Sequence, residues 1–162
     1  MSPQAREFFK KCCMQVGLSP LEVLLWVRTR WASLYRALDR SLDLRKAIDR
    51  FVLIADSSDE VPPLKNKNYM DYMLTAAEWE RIKMIHEALR EPADVTQTFS
   101  NERHPTVWRI IPTFEYLIKR WETMAAHPRY AEIGEALLEG VKSFRKWFHR
   151  TDTTSNAYFI CL

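Results

Sequence analysis

The scarcity of glycine constrains the fold of this chain more than any other feature. Only three of its 162 residues are glycine. A β-sandwich or β-barrel of this length needs more, because tight hairpin turns require residues that accept positive φ. Hydrophobic residues make up 47% of the chain, which is enough to build a core. The combination favours an α-helical protein.

Apolar residues recur at helical spacing along most of the chain and predict about five long helices in an irregular bundle. The first follows Ser2-Pro3, a typical N-cap and first-turn proline, and ends near Gly17. Its apolar face carries Cys12 and Cys13, which we expect to be buried thiols that act as small hydrophobic residues. We therefore predict an all-α fold and treat residues 1–162 as a single domain.

Four further segments have helical patterns. The strongest spans residues 31–52, where one apolar stripe is continuous. Another starts at Thr75, which forms a capping-box pattern with Glu78, and Pro92 should bend or end that helix. The remaining two begin at His104-Pro105-Thr106 and after Pro128.

Two segments lack a clear helical pattern. Residues 21–27 are short and apolar, so one or two helical turns and a buried strand both fit them. Residues 55–72 contain Pro62-Pro63 and alternating Lys and Asn, with no hydrophobic period. We predict that this second segment is a flexible surface loop between helices.

Charge and cysteine content restrict the class of protein only loosely. The 24 Lys and Arg exceed the 21 Asp and Glu by three, which permits contact with nucleic acid without requiring it. Three cysteines, two of them adjacent, make a poor disulfide framework. No signal peptide and no run of ~20 apolar residues is present, so we expect an intracellular protein without membrane contact.

No motif for catalysis or metal binding is present in the sequence. Phosphate-binding loops need glycines that this chain lacks, and its four histidines have no ligand-like spacing. Asp56, Asp59 and Glu60 cluster in the predicted loop, but nothing indicates the converging carboxylates of a two-metal nuclease. We therefore expect no catalytic residue, no metal and no cofactor in this chain.

Arg28-Thr29-Arg30-Trp31 is the segment whose composition most suggests binding. Arginine pairs well with phosphate, and a tryptophan face can stack on an unpaired base. The alternative is a simple helix start, with Thr29 near the cap, Trp31 in the core and the arginines in water. The residues alone favour this alternative, since aromatic residues at helical spacing usually belong to a core.

The same segment resembles the Thr-Arg-Trp region of hAT DNA transposases, especially the fungal and BED-finger-associated types. Residues 27–35 match that region, and residues 38–49 are similar to the helix that follows it. The resemblance covers nearly the whole chain in the family's order. Its other parts are the opening 2–12, the Glu-Trp helix of 74–99, His104-Pro105-Thr106 with Ile111-Pro112, and the strand-like run of 157–160.

This resemblance implies an RNase H-like catalytic core with two Asp and one Glu, interrupted by a large helical insertion. It places the two Asp before this chain and the Glu after it. The chain is then expected to be the inserted helical region, truncated at both ends and not an enzyme by itself. Divalent metal is expected only in the complete family enzyme, and short strands near 21–27 and 156–162 are expected as remnants of the core.

For function, the resemblance implies binding to DNA at transposon ends and a nuclear location. Arg30 and Trp31 match the family's Arg-Trp pair, which is placed near the cleavage site with its Trp stacked on a flipped base. Arg28 is a further candidate DNA contact. The sequence departs from the family at Trp26, where Asp is usual, and at Ala32, where Asn is usual.

A non-enzymatic helical interaction module, domesticated or decayed from a transposase, is the alternative function. If helix 2–17 and the apolar tail evolved to pack on an absent RNase H-like sheet, their apolar faces are exposed. Self-association through those faces is then expected.

Overall fold

The structure, a computed structural model, describes the backbone of residues 2–27, 31–99 and 110–154 and the side chains of residues 2–27, 32–97 and 111–148. Within these ranges the regular structure is entirely helical, which confirms the predicted all-α fold. The described helices are α1 (Pro3–Gln15), α2 (Trp31–Asp43), α3 (Arg45–Ala55), α4 (Ala76–Phe99), α5 (Ile110–Ala126) and α6 (Gly134–Thr154), with short 3-10 helices at Tyr69–Tyr72 and Pro128–Tyr130.

The chain, which its sequence pattern predicts to be one domain, divides into two compact units, Met1–Lys83 and Met84–Leu162. The division falls inside α4 and not in the predicted loop. Each unit has its own cluster of buried apolar side chains. Because the helical pattern of α4 crosses the division, the sequence contains no linker that could mark it.

Local signals set both ends of α1. At its start, the Ser2 Oγ accepts a hydrogen bond from the Ala5 amide at 3.1 Å, as the predicted cap requires. At its end, Gly17 has φ +73°, and the Leu18 amide donates to the Cys13 carbonyl at 2.9 Å. This is a Schellman ending, which favours glycine because other residues are strained at positive φ.

The single helix predicted over 31–52 is wrong, because the chain breaks at Leu44 into α2 and α3. Leu44 has φ −92° and ψ 8°, outside the α-helical range. Just before it, the Ser41 hydroxyl donates to the Ala37 carbonyl at 2.7 Å, a bond that bends helices. Leu44 is only 2% exposed, so its burial in the core favours this backbone over the continuous helical pattern.

Phe51 of α3 lies at the centre of the first unit's core. The rings of Phe8, Phe9 and Tyr69 contact it edge to face, with centroids 5.4 to 5.9 Å away. Edge-to-face pairs add to the free energy gained by burying the rings. The buried residues of this cluster are Ala5, Phe8, Phe9, Cys12, Cys13, Leu44, Ala47, Phe51, Val52, Ala55 and Val61.

The apolar face of α1 is buried against α3, so the expectation that it is exposed for an absent sheet is wrong. Cys12 and Cys13 are fully buried on this face, and burial raises the pKa of both thiols. Both are therefore protonated and structural, as predicted. Residues 156–162, for which exposure and a short strand were also expected, lie outside the described residues.

The loop after α3 is irregular from residue 56 to residue 68, and two of its three acidic residues have structural roles. The Asp56 carboxylate accepts hydrogen bonds from the amides of Tyr69 and Met70 at 2.8 and 2.9 Å. It therefore caps the 3-10 helix that begins there. Glu60 forms an ion pair with Lys11 of α1.

Helix α4 begins with the predicted capping box. The Thr75 amide donates to the Glu78 carboxylate at 2.8 Å, and the Glu78 amide donates to the Thr75 Oγ1 at 3.2 Å. The next residue, Trp79, is buried and donates from its indole to Asp49 of α3 at 3.2 Å. The start of α4 is thus fixed by both a local signal and a tertiary contact.

Pro92 does not end α4, which continues to Phe99. Because proline has no N–H, the carbonyl of Ala88 lacks its helical donor. The buried Trp121 indole of α5 donates to that carbonyl at 3.0 Å. The carbonyl that Pro92 leaves without a helical donor in α4 thus accepts a hydrogen bond from α5.

The second unit packs α5 against α6 around Trp121. Its ring lies on Gly140 so closely that a Cβ there would be 2.4 Å from Cζ3 of the indole. The absence of a side chain at this position lets the two helices approach. The buried residues of this cluster are Ala88, Leu117, Trp121, Met124, Leu137 and Val141.

Two glutamates one turn apart on α4, Glu87 and Glu91, tie this unit together from its surface. Each accepts a hydrogen bond from a tyrosine hydroxyl and one from an arginine. The pairs are Tyr130 and Arg129 on Glu87, both at 2.6 Å, and Tyr116 and Arg120 on Glu91, at 3.1 and 3.2 Å.

Candidate functional site

The predicted binding residues precede or begin α2. Arg28 and Arg30 lie outside the residues that the structure describes, as does the side chain of Trp31, the first residue of α2. Their roles therefore stay predictions. The described residues that precede and follow this segment form the structure around it.

Residues 21–27, termed here the 21–27 segment, lie beside α2. The Val27 amide donates to the Ser33 Oγ at 2.9 Å, and the Arg40 guanidinium donates to the Glu22 carbonyl at 3.3 Å. Because Glu22 is bonded near the end of α2 and Val27 near its start, the segment runs antiparallel to the helix. Residues 28–30 connect Val27 to the start of α2, and the Val27–Ser33 hydrogen bond joins the described residues on either side of them.

The 21–27 segment is neither helical nor a strand, which corrects both alternatives and the expected strand remnant. It contains no turn or bend, so it is extended. No strand in the described part of the chain pairs with it. Its apolar side chains are exposed rather than buried, most of all Leu25 at 89% and Trp26 at 53%.

A groove of about 350 Å³ lies between this segment and the start of α2, and is termed the α2 groove. Arg36 is its cation, and this exposed side chain forms no hydrogen bond or ion pair with any described residue. Apolar walls beside a free guanidinium suit a flat apolar group that carries a phosphate. The lining residues are Leu24, Leu25, Val27, Ala32, Ser33 and Arg36.

A second groove, of about 410 Å³, lies on the other side of the segment, against α1, and is termed the α1 groove. It also contains one arginine, Arg6. The lining residues are Arg6, Phe9, Glu22, Val23, Leu24 and Leu25. The segment therefore has open space along both sides.

The described lining of the α2 groove can bind but offers little for catalysis. Its polar groups are the Ser33 hydroxyl and the Arg36 guanidinium, and neither is paired with a residue that could act as a base. Across the described ranges, no three His, Cys, Asp or Glu side chains come together to hold a metal ion. None of the described helices has the length and hydropathy to cross a membrane.

The sequence pattern points to Arg28, Arg30 and Trp31, which stay predictions, but not to Arg36 or to the wall formed by the 21–27 segment. The sequence contained a partial signal for one wall of the groove. Arg36 follows Ala32 by four residues and Ser33 by three, so the three residues share a helix face. The other wall depends on how the segment folds back on α2. Helical periodicity carries no information about that arrangement.

Comparisons of this chain with models of protein families, with curated proteins and with solved structures find no match. The resemblance to hAT transposases therefore rests on the sequence motifs quoted above.

Proposed function

We propose that this chain is a DNA-binding helical module of hAT-transposase type that holds an unpaired base and its phosphate at the start of α2. The observation that carries the proposal is the α2 groove, directly beside Arg28-Thr29-Arg30-Trp31 in the sequence. Transposon ends as the DNA and the nucleus as the location follow from the resemblance. The role is binding, with strand cleavage supplied by carboxylates that this chain does not carry.

The contributions of the four proposed DNA contacts, Arg36 of the groove and Arg28, Arg30 and Trp31 beside it in the sequence, follow from their chemistry. Trp31 stacks on the base, a contact that contributes about 1–3 kcal/mol. Arg36 binds phosphate, because its guanidinium is exposed and has no counter-ion within the described residues. Arg28 and Arg30 add further cations, so the affinity should fall as salt rises.

A non-enzymatic interaction module is the second candidate function. The exposed apolar side chains of the 21–27 segment favour it, since apolar patches of this kind commonly mark protein contacts. This candidate predicts no preference for unpaired DNA.

The proposal is tested by fluorescence anisotropy with a labelled DNA hairpin that contains one unpaired base. We expect Trp31→Ala and Arg36→Gln each to weaken binding by about tenfold. The matched controls, Trp147→Ala and Arg90→Gln, alter an exposed tryptophan of α6 and an exposed arginine of α4 and should leave affinity unchanged.

Two results would refute the assignment. One is hairpin binding that none of the four substitutions changes. The other is an equal loss in the Trp31 and Arg36 variants and in the controls, which would indicate a general effect of charge or folding. Circular dichroism of each variant confirms that the helices are retained.

A further inference from the structure

Backbone groups in the middle of the 21–27 segment have no hydrogen-bond partner among the residues that the structure describes. The ends of the segment are bonded, through the Glu22 carbonyl and the Val27 amide. Between them, the amides and carbonyls of residues 23–26 bond to nothing in the described part of the chain. An extended chain with free N–H and C=O groups is a template on which another strand can pair.

The segment also lacks the features that usually protect such an edge. Proteins block exposed edges with proline, lysine or inward-pointing charges. Residues 21–27 contain none of these except one acid, Glu22. Leu25 and its apolar neighbours are exposed, and grooves run along both sides of the segment. A strand that added here would meet free backbone groups and apolar side chains together.

We propose that the 21–27 segments of two copies of this chain pair as antiparallel β-strands about a two-fold axis at Leu24. In this register Glu22 of each copy lies opposite Trp26 of the other, so no like charges face each other. The charges are complementary as well. The only charge on the incoming strand is an acid, and the described lining of the α2 groove contains an arginine, Arg36, and no acid.

The size of the interface sets the strength of this association. A two-stranded pair of seven residues is marginal by itself and falls below the area of a standard stable interface. We therefore expect a weak dimer that forms reversibly as concentration rises. This inference goes beyond the proposed function and involves no DNA, so either can fail without the other.

The test is sedimentation equilibrium of the full chain without DNA, across a wide concentration range. Wild type should shift from monomer to dimer. Leu24→Lys should weaken association by about tenfold, because two lysines then face each other at the axis. Leu24→Glu should do the same. An equimolar mixture of the two variants should associate again, since lysine now faces glutamate.

A matched control separates this site from apolar surface in general. Leu53→Lys alters a leucine of α3 that is also exposed, at 53%, and should dimerise like wild type. Hydrogen exchange adds a direct readout, because alternate amides within residues 23–26 should bond to the partner strand and exchange more slowly in the dimer. A monomer at every concentration overturns the proposal. So does a charge-swapped mixture that stays monomeric, or a Leu24→Lys variant that associates like wild type.

Discussion

Pro92 and Trp121 are coupled through a single carbonyl oxygen. The missing N–H of Pro92 leaves the Ala88 carbonyl to the Trp121 indole, which donates to it at 3.0 Å in a buried position. Replacing the indole with a ring that lacks a donor leaves the carbonyl buried and unpaired. We expect Trp121→Phe to lower the free energy of unfolding by about 1–3 kcal/mol.

Because Pro92 and Trp121 are coupled, Pro92→Ala should recover part of the stability that Trp121→Phe loses. Pro92→Ala supplies a helical N–H to the same carbonyl, so Trp121→Phe should cost about 1 kcal/mol less in that background. Chemical denaturation of the wild type, the two single variants and the double variant measures the difference. Equal costs of Trp121→Phe in both backgrounds would contradict the coupling.

Glu78 is the residue whose ionisation should affect stability most clearly. Its hydrogen bonds from the Thr75 amide and hydroxyl lower the pKa of the carboxyl. A folded-state pKa below the unfolded one means that the stabilisation is present above the unfolded pKa. It is lost as pH falls through the folded pKa.

Thermal unfolding across the acidic pH range tests whether the stabilisation by Glu78 is lost as pH falls. Wild type should exceed Glu78→Gln in melting temperature at neutral pH, and the difference should vanish as pH falls below the usual range of a glutamate. Glu115→Gln, at an exposed carboxylate of α5, is the control and should not reproduce the trend. A difference that stays constant with pH would show that the carboxylate charge has no part in the cap.

Helices α5 and α6 approach closely only because residue 140 has no side chain. In Gly140→Ala, the new Cβ would lie 2.4 Å from Cζ3 of Trp121, whose indole is held by Ala88. The helices must separate or the indole must leave its acceptor. Although alanine favours helix by about 1 kcal/mol, we expect a net loss of about 1–3 kcal/mol in denaturation experiments.

Ser143→Ala, at an exposed position of the same helix, is the control for helix propensity and should be neutral or slightly stabilising. A Gly140→Ala variant that gains as much stability as Ser143→Ala would show that the two helices do not depend on this close approach.

Helix ends that depend on neighbouring residues were predictable from the sequence. The Ser2 cap, the Gly17 ending and the Thr75–Glu78 box each need only residues within one or two turns. The break at Leu44 was not predictable in this way. It depends on burial of Leu44 in a core built from α1 and α3, which lie far apart in the sequence.

For the whole molecule, the sequence predicted the fold class but not its division into two units. The division falls within α4, where the helical pattern is continuous, and each unit is defined by contacts between distant helices. The candidate site likewise combines a feature that is visible in contiguous sequence with one that depends on how the chain folds. The Arg28–Trp31 motif is contiguous, so the sequence alone suggests it as a binding segment, and its role stays a prediction. The α2 groove, in contrast, needs the 21–27 segment to fold back along α2.

The central claim is that the start of α2 binds unpaired DNA. Its most direct test is the affinity of the wild-type chain for a hairpin with an unpaired base and for a fully paired duplex, measured across salt concentrations. We predict tighter binding to the hairpin, with an affinity that falls by about 0.7 logarithmic units per phosphate contact for each tenfold rise in salt. Equal affinity for both DNAs, or binding that salt does not weaken, would contradict the claim.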